Sequence, residues 1–304
     1  MSLAAVAVAL ALAATPTPAH RVMSHGLAHP APAGSVTRLF RGVRPYVRLD
    51  GLPAGGLLPA EVDILLDQLA RAQDRAPIDA SLDRAHGTVV PDRDGLAIDR
   101  RATRTALLAA APFANVATVR RPVHARWRTS DLARLTATLG TYTTWIDGSL
   151  ERRGNIALAS RLVRRRLVLP GQVFSFVAAI GPGTRAQGYQ LAPTIQDGQM
   201  VPGLAGGVCQ LSSTLYNAVR AAGLNVVERH HHALPVHYVP SGRDATVVLP
   251  GEHPPAWLAH LDFRFRNTRP RPVYVDAWVR GWSVTARIVG DPADRPAPAR
   301  YARR

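Results

Sequence analysis

Residues 205–223 read AGGVCQLSSTLYNAVRAAG: a glycine pair, then the only cysteine of the chain, then apolar residues at helical spacing. At about 100° per residue, Val208, Leu211, Leu215, Ala218, Val219 and Ala222 fall in one stripe, with Cys209, Ser213, Tyr216 and Arg220 on its flank. The spacing predicts a helix that carries Cys209 at its N-terminus and ends at Gly223. Free backbone N–H groups and the helix dipole favour an anion there, which draws the thiol toward thiolate, its nucleophilic form. Gly206 and Gly207 let backbone or substrate approach closely. A lone cysteine also serves as a small buried hydrophobe, so the case for chemistry rests on its surroundings.

A thiol nucleophile needs a base, and the base an orienting acceptor. Residues 228–249, ERHHHALPVHYVPSGRDATVVL, supply candidates for both. In an extended segment His230 and His232 share one face and His231 takes the other. His232, His230 and His237 are the candidate bases, and Asp244 or Asp262 the acceptor that fixes the imidazole tautomer. Backbone N–H groups at Cys209, with the Gln210 side chain, would form an oxyanion hole. Arg229 and Arg243 offer planar forks for a substrate carboxylate. Ser213 and Tyr216 lie near the thiol by helical spacing. His230, His232 and a carboxylate could hold zinc on paper, but no HExxH or CxxC pattern accompanies them, so no metal is expected. The glycines of AIGPGTRAQGY do not have GxGxxG spacing, so no nucleotide or flavin cofactor is expected either.

Around this core the pattern is α+β. A helix over Arg152–Arg166 and a short strand in VFSF precede the cysteine. After Gly223 come strand patterns over Asn225–Arg229, Pro235–Val239, Asp244–Leu249, Leu261–Asn267, Val273–Val279 and Ser283–Val289. The expected fold is a nucleophile-bearing helix packed on a mostly antiparallel sheet, by analogy with papain-like and NlpC-type cysteine enzymes. A small α+β module over 57–125 precedes it, with a helix Pro59–Gln73 and a second helix near Arg101. Residues 20–56 read as a linker and 291–304 as a disordered tail. Residues 1–19, with an apolar run Leu3–Ala14, read as a signal peptide or N-terminal anchor. That run is too short for a confident membrane span. With one cysteine, no internal disulfide can form.

The net charge of +16 comes from arginine, since no lysine occurs. So uniform a bias points to a GC-rich genome rather than a nucleic-acid site, and Arg164, Arg165 and Arg166 have no stacking aromatics beside them. In an exported protein, peptidoglycan carboxylates and anionic wall polymers would suit such a surface.

GGVCQLSSTLYNAVRAAGL, then VVERHHHALPVHYVPSGRDATVVL and LDFRFRN, with NIALASRLVRRRLVLPGQVFSFVAAIGPGTRAQGYQLAPTIQDGQMVPGLAGG upstream, together resemble the VanW domain family of bacterial envelope proteins, first named from vancomycin-resistance clusters. The resemblance covers about half of the chain, from near Thr143 to Gly290, within an expected domain over 126–290. It implies an exported, cell-envelope protein that acts on peptidoglycan stem peptides. Some members are regarded as cysteine-dependent LD-transpeptidases; the nucleophile implied is Cys209, and His232 matches the family histidine that follows Arg229. Ala205 stands where the family has the first of three glycines, and its methyl group disfavours a positive φ. A thiol hydrolase of wall peptides, or a non-catalytic wall-binding or glycopeptide-resistance accessory protein, are the alternatives. DASLD and VVPDRDGLAID loosely resemble a peptidoglycan-binding module that often precedes such domains.

Overall fold

The computed structural model describes residues 35–196, 199–252 and 261–296. The expected signal peptide or anchor over 1–19 lies outside them. The elements in chain order are α1 Ser35–Arg41, β1 Arg48–Leu49, β2 Leu52–Pro53, α2 Pro59–Gln73, β3 Ser81–Leu82, β4 Val89–Val90, β5 Gly95–Ile98, α3 Arg100–Ala109, β6 Asn115–Val116, β7 Arg120–Val123 and α4 Thr129–Ala133. There follow β8 Ala137–Trp145, α5 Leu150–Val163, β9 Arg166–Val168, β10 Val173–Ser175, α6 Phe176–Ile180, β11 Leu191–Gln196, β12 Gln199–Leu204, α7 Val208–Ala221, β13 Asn225–Glu228, β14 Arg264–Arg266, β15 Val273–Arg280 and β16 Ser283–Gly290. Among the described residues no helix is long and apolar enough to cross a membrane.

Two compact units result. Of the described residues, the smaller comprises 35–77 together with Asp94–His124; the larger takes Ile78–Arg93 and those from Ala125 onward. In the smaller, α2 buries Val62, Leu65, Leu66 and Leu69 against Val43, Val47, Leu49, Ile98 and Leu107. Part of the segment expected as a linker over 20–56 is therefore folded: Val43, Val47, Leu49 and Ala54 are core residues, an apolar set that α2 alone could not cover. The expected module over 57–125 is also interrupted. Ala80 joins Leu132 and Leu135 in a small core of the larger unit, and Asp79 accepts from the backbone N–H groups of Arg126 and Trp127.

The larger unit is built on a four-stranded antiparallel sheet, β8–β16–β15–β9, with α7 and α5 packed on it. Gly140 of β8 makes this approach possible, since a Cβ there would stand 2.3 Å from Ala218 O and Ala222 N of α7. A second antiparallel sheet, β10–β14–β13, and the β11–β12 hairpin complete the scaffold, so the fold is α+β with mostly antiparallel strands.

The structure corrects several boundaries. The helix expected over Arg152–Arg166 is α5, capped by Ser149, whose hydroxyl accepts from Arg152 N at 3.3 Å. Asp291, at the head of the expected tail, is buried and paired with Arg134 and Arg271; 297–304 lie outside the described residues. Pro235–Val239 and Asp244–Leu249 are not strands. The second keeps strand-like alternation, with Ala245, Val247 and Leu249 buried, because it lies extended against α7. Its backbone bonds go to side chains and single bridges rather than a ladder: Ala245 N donates to Ser213 Oγ at 2.8 Å and Thr246 N to His230 O at 2.9 Å. α7 itself is buried far beyond one stripe. Gln210, Ser212, Ser213, Thr214 and Asn217 are all inside, four of them hydrogen-bonded to neighbouring backbone or side chains.

Candidate active site

The turn before α7 places the thiol. Ala205 lies at φ 60° and Gly207, the N-cap, at φ 104°, which folds β12 sharply into the helix. Gly206 presses on β11, where a Cβ would stand 2.5 Å from Ala192 O, and a Cβ on Gly207 would stand 2.9 Å from Arg152 Cγ. Buried Asn155 of α5 ties the turn down: Nδ2 donates to Gln190 O at 2.9 Å and Gly206 O at 3.1 Å, and Oδ1 accepts from Gln190 N at 2.9 Å. Cys209 is thereby fixed as the second residue of α7. Both glycines serve the backbone of this turn, and neither needs a substrate contact to explain it.

The half-buried thiol faces the extended segment, 3.3 Å from Val247 O and 3.7 Å from Thr246 Oγ1. Burial alone pushes the thiol up, but the nearby His232 ring and its charge, aided by Val247 and Thr246, bring it below the usual cysteine value. Burial likewise pushes His232 down, while Cys209 and Asp244 carry it above the usual histidine value. Both shifts move the pair toward thiolate and imidazolium, the state in which a cysteine attacks and a histidine then donates a proton.

Asp244 fixes the ring. Oδ2 lies 2.7 Å from His232 Nδ1 and accepts from His232 N at 2.7 Å, so Nδ1 carries a proton and Nε2 is left for the thiol side. The carboxylate is only 10 % exposed. Burial raises its pKa, and the backbone and ring of His232 with the ring of His231 overcome this and hold it at about 2. Arg229 braces the same group, with Nε donating to Asp244 O at 2.6 Å, Nη2 to Oδ1 at 3.1 Å and to Gly242 O at 2.8 Å. The face of Tyr216 lies under its guanidinium at 4.9 Å.

The structure thus brings Cys209, His232 and Asp244 together and separates the other candidates. His230 turns to Glu228 at 3.0 Å, and exposed His237 reaches Asp147 at 2.6 Å. Asp262 accepts from Val177 N at the start of α6. Four of the expected substrate contacts are engaged within the protein. Gln210 is fully buried, its amide donating to Thr144 Oγ1 and Trp145 O while accepting from Arg152 Nη2, so it has no donor left for an oxyanion. Ser213 is also fully buried, and its hydroxyl bonds Cys209 O and Ala245 N. Arg229 is engaged with Asp244, and Tyr216 lies beneath its guanidinium. Arg243 is exposed, and its backbone carbonyl accepts from Asn217 Nδ2.

Sequence reasoning passed over Tyr238. Its hydroxyl is 3.5 Å from His232 Nε2, and its ring meets that of His232 edge to face. Burial first, then the nearby Cys209, raises its pKa, so it stays a neutral hydroxyl. Asn155 was seen only as a helix residue. The sequence signal for both is slight: an aromatic directly after His237, and a polar residue on the inner face of a helix.

A family model described as VanW like protein matches residues 151–289. The chain is 36% identical over 224 residues to the Uncharacterized protein YoaR of Bacillus subtilis (strain 168), covering 72% of this chain and 71% of that protein. It is 26% identical over 98 residues to the Vancomycin B-type resistance protein VanW of Enterococcus faecalis (strain ATCC 700802 / V583), covering 31% of this chain and 36% of that one. No solved structure matches.

Proposed function

The chain belongs to the VanW-like family, and on that premise we propose a cell-envelope enzyme that remodels peptidoglycan by cysteine-dependent LD-transpeptidation. The observation that carries this reading is Cys209 at the N-terminus of α7 beside His232, whose ring is hydrogen-bonded to the buried Asp244 carboxylate. Two acyl transfers follow from it. The thiolate adds to the carbonyl carbon of the third residue in a donor stem tetrapeptide. The adduct collapses as His232 gives its proton to the departing D-alanine nitrogen, leaving a thioester and a neutral imidazole. The side-chain amine of a second stem then attacks the thioester, His232 takes the amine proton, and the thiolate leaves. The product joins the third residues of two stems. Backbone N–H groups in the first turn of α7 are the donors for the oxyanion.

The substrate class is supported by the family and by the similarity to a vancomycin B-type resistance protein, which also motivates a role in vancomycin resistance. Export to the envelope, with stem peptides and anionic wall polymers as partners, belongs to the same proposal. The test incubates the full chain and its Cys209→Ala variant with disaccharide-tetrapeptide muropeptides under reducing conditions, read by mass spectrometry. Dimers that lack one D-alanine and require Cys209 support transpeptidation. Cleaved monomers alone make it a thiol hydrolase. Identical behaviour of both proteins leaves a non-catalytic wall-binding or resistance-accessory role.

A further inference from the structure

Among the described residues, Arg152 is a cation at this site that pairs with no carboxylate. It is half-buried on the first turn of α5, and its stem runs between two glycines: a Cβ on Gly148 would stand 3.3 Å from Arg152 Cδ, and one on Gly207 2.9 Å from Cγ. The one hydrogen bond that its guanidinium makes among the described residues, Nη2 to Gln210 Oε1 at 2.9 Å, is to a neutral acceptor. Nε is buried without a partner, and Nη1 has no acceptor among the described residues. A half-buried guanidinium ordinarily has a counter-ion, because taking its charge out of water costs free energy that a neutral amide offsets only in part. The other charges nearby are matched. Arg229 is held by Asp244, Arg153 donates to Gly281 O at 2.7 Å beside the Trp282 ring, and Asp147, on the loop before α5, pairs with His237 at 2.6 Å.

The place of this charge bears on the leaving group. In the first acyl transfer the departing nitrogen must lie within hydrogen-bond reach of His232 Nε2. The Tyr238 hydroxyl, 3.5 Å from that same Nε2, marks this end of the site. The charge of Arg152 reaches it: burial first and then Cys209 raise the Tyr238 pKa, and Arg152 draws it back. An α-amino acid carries its carboxylate one carbon from the departing nitrogen. A terminal carboxylate therefore comes close to Nε2, at the end of the site where Arg152 is the unmatched cation.

We propose that Arg152 receives the terminal carboxylate of the acyl donor, and so selects donors in which a single residue follows the attacked carbonyl. Its planar fork suits a carboxylate. A donor longer by one residue would present a neutral peptide carbonyl there and lose the charge-assisted bond. That the donor is a stem peptide rests on the function proposed above; a carboxylate site beside the thiol does not.

The test compares alkylation of Cys209 by iodoacetate and by its neutral isostere iodoacetamide, in the full chain and in its Arg152→Gln and Arg152→Lys variants, with melting curves to show that each is folded. The ratio of the two rates cancels any change in thiolate fraction, which a purely structural role of Arg152 would alter for both reagents alike. Arg152→Gln should lower the ratio several-fold. Arg152→Lys, which keeps the charge and loses the fork, should lower it less. Wild type is also protected from iodoacetamide with a stem tetrapeptide and with the same peptide ending in a carboxamide, a comparison that needs no variant to fold. The free acid should protect at a concentration about tenfold lower, and Arg152→Gln should abolish the difference. A ratio unchanged in the folded variants, or equal protection by acid and amide in wild type, would overturn the proposal. Reagent selectivity that follows Arg152, with no protection by either peptide, would uphold the carboxylate site and sink the stem-peptide reading instead.

Discussion

Asp244→Asn keeps the shape of the side chain and removes its charge, so it isolates what the carboxylate does for both fold and site. The carboxyl titrates at about 2 against an ordinary 3.8 because it accepts from the backbone and ring of His232 and from His231 inside the protein. A gap of about 1.8 pH units corresponds to about 2.5 kcal/mol, and a side chain only 10 % exposed loses little of this to solvent. The folded pKa is depressed, so this stabilisation is fully present above about pH 4 and is lost as the pH falls toward about 2. Urea unfolding of wild type and variant should therefore differ by roughly 2 to 3 kcal/mol at neutral pH. The difference should close between about pH 4 and pH 2 as the wild-type carboxylate is protonated. The variant should also alkylate more slowly at Cys209, since His232 loses the anion that supports its charged form. A difference that is absent at neutral pH, or that persists unchanged to pH 2, would refute the account of how this carboxylate is held.

Three further outcomes are expected. The rate of Cys209 alkylation should stay high at pH values where an ordinary cysteine is protonated, and His232→Ala should move the midpoint up, because the histidine and its charge are what offset burial of the thiol. Gly207→Ala should destabilise the protein by about 2–4 kcal/mol in urea titration, as a left-handed residue acquires a Cβ that also crowds Arg152 and Ile156. Asn155→Ala should cost about 1–3 kcal/mol by taking the Asn155 amide from the buried Gly206 carbonyl and its oxygen from Gln190 N, and should slow alkylation by loosening the turn that presents the thiol.

How much of this was legible in the sequence varies by segment for physical reasons. α7, α2 and the β15–β16 hairpin are read well because apolar periodicity there reports contact with a single core. Asp244–Leu249 shows the limit of such patterns. Alternation records which side is buried, and an extended segment lying on a helix alternates as a strand does while making no ladder. The polar flank of α7 was taken for a site face, although Gln210 and Ser213 are buried and serve the backbone around the thiol. Spacing could not separate the three candidate histidines, since the choice depends on where Asp244 lies after the chain has turned back on α7. Ala205 at φ 60° shows that the turn keeps a left-handed residue even where its first position is not glycine. The folded part of 20–56 was missed because its short elements are stabilised by α2 rather than by any repeat of their own.

The most direct test of the central claim is intact-protein mass spectrometry of the full chain after brief exposure to a disaccharide-tetrapeptide donor without acceptor. The account predicts a disaccharide-tripeptide adduct that maps to Cys209, is released by hydroxylamine as a thioester is, and is absent from Cys209→Ala. A folded protein that forms no such adduct, and whose thiol titrates like that of a free cysteine, would contradict it.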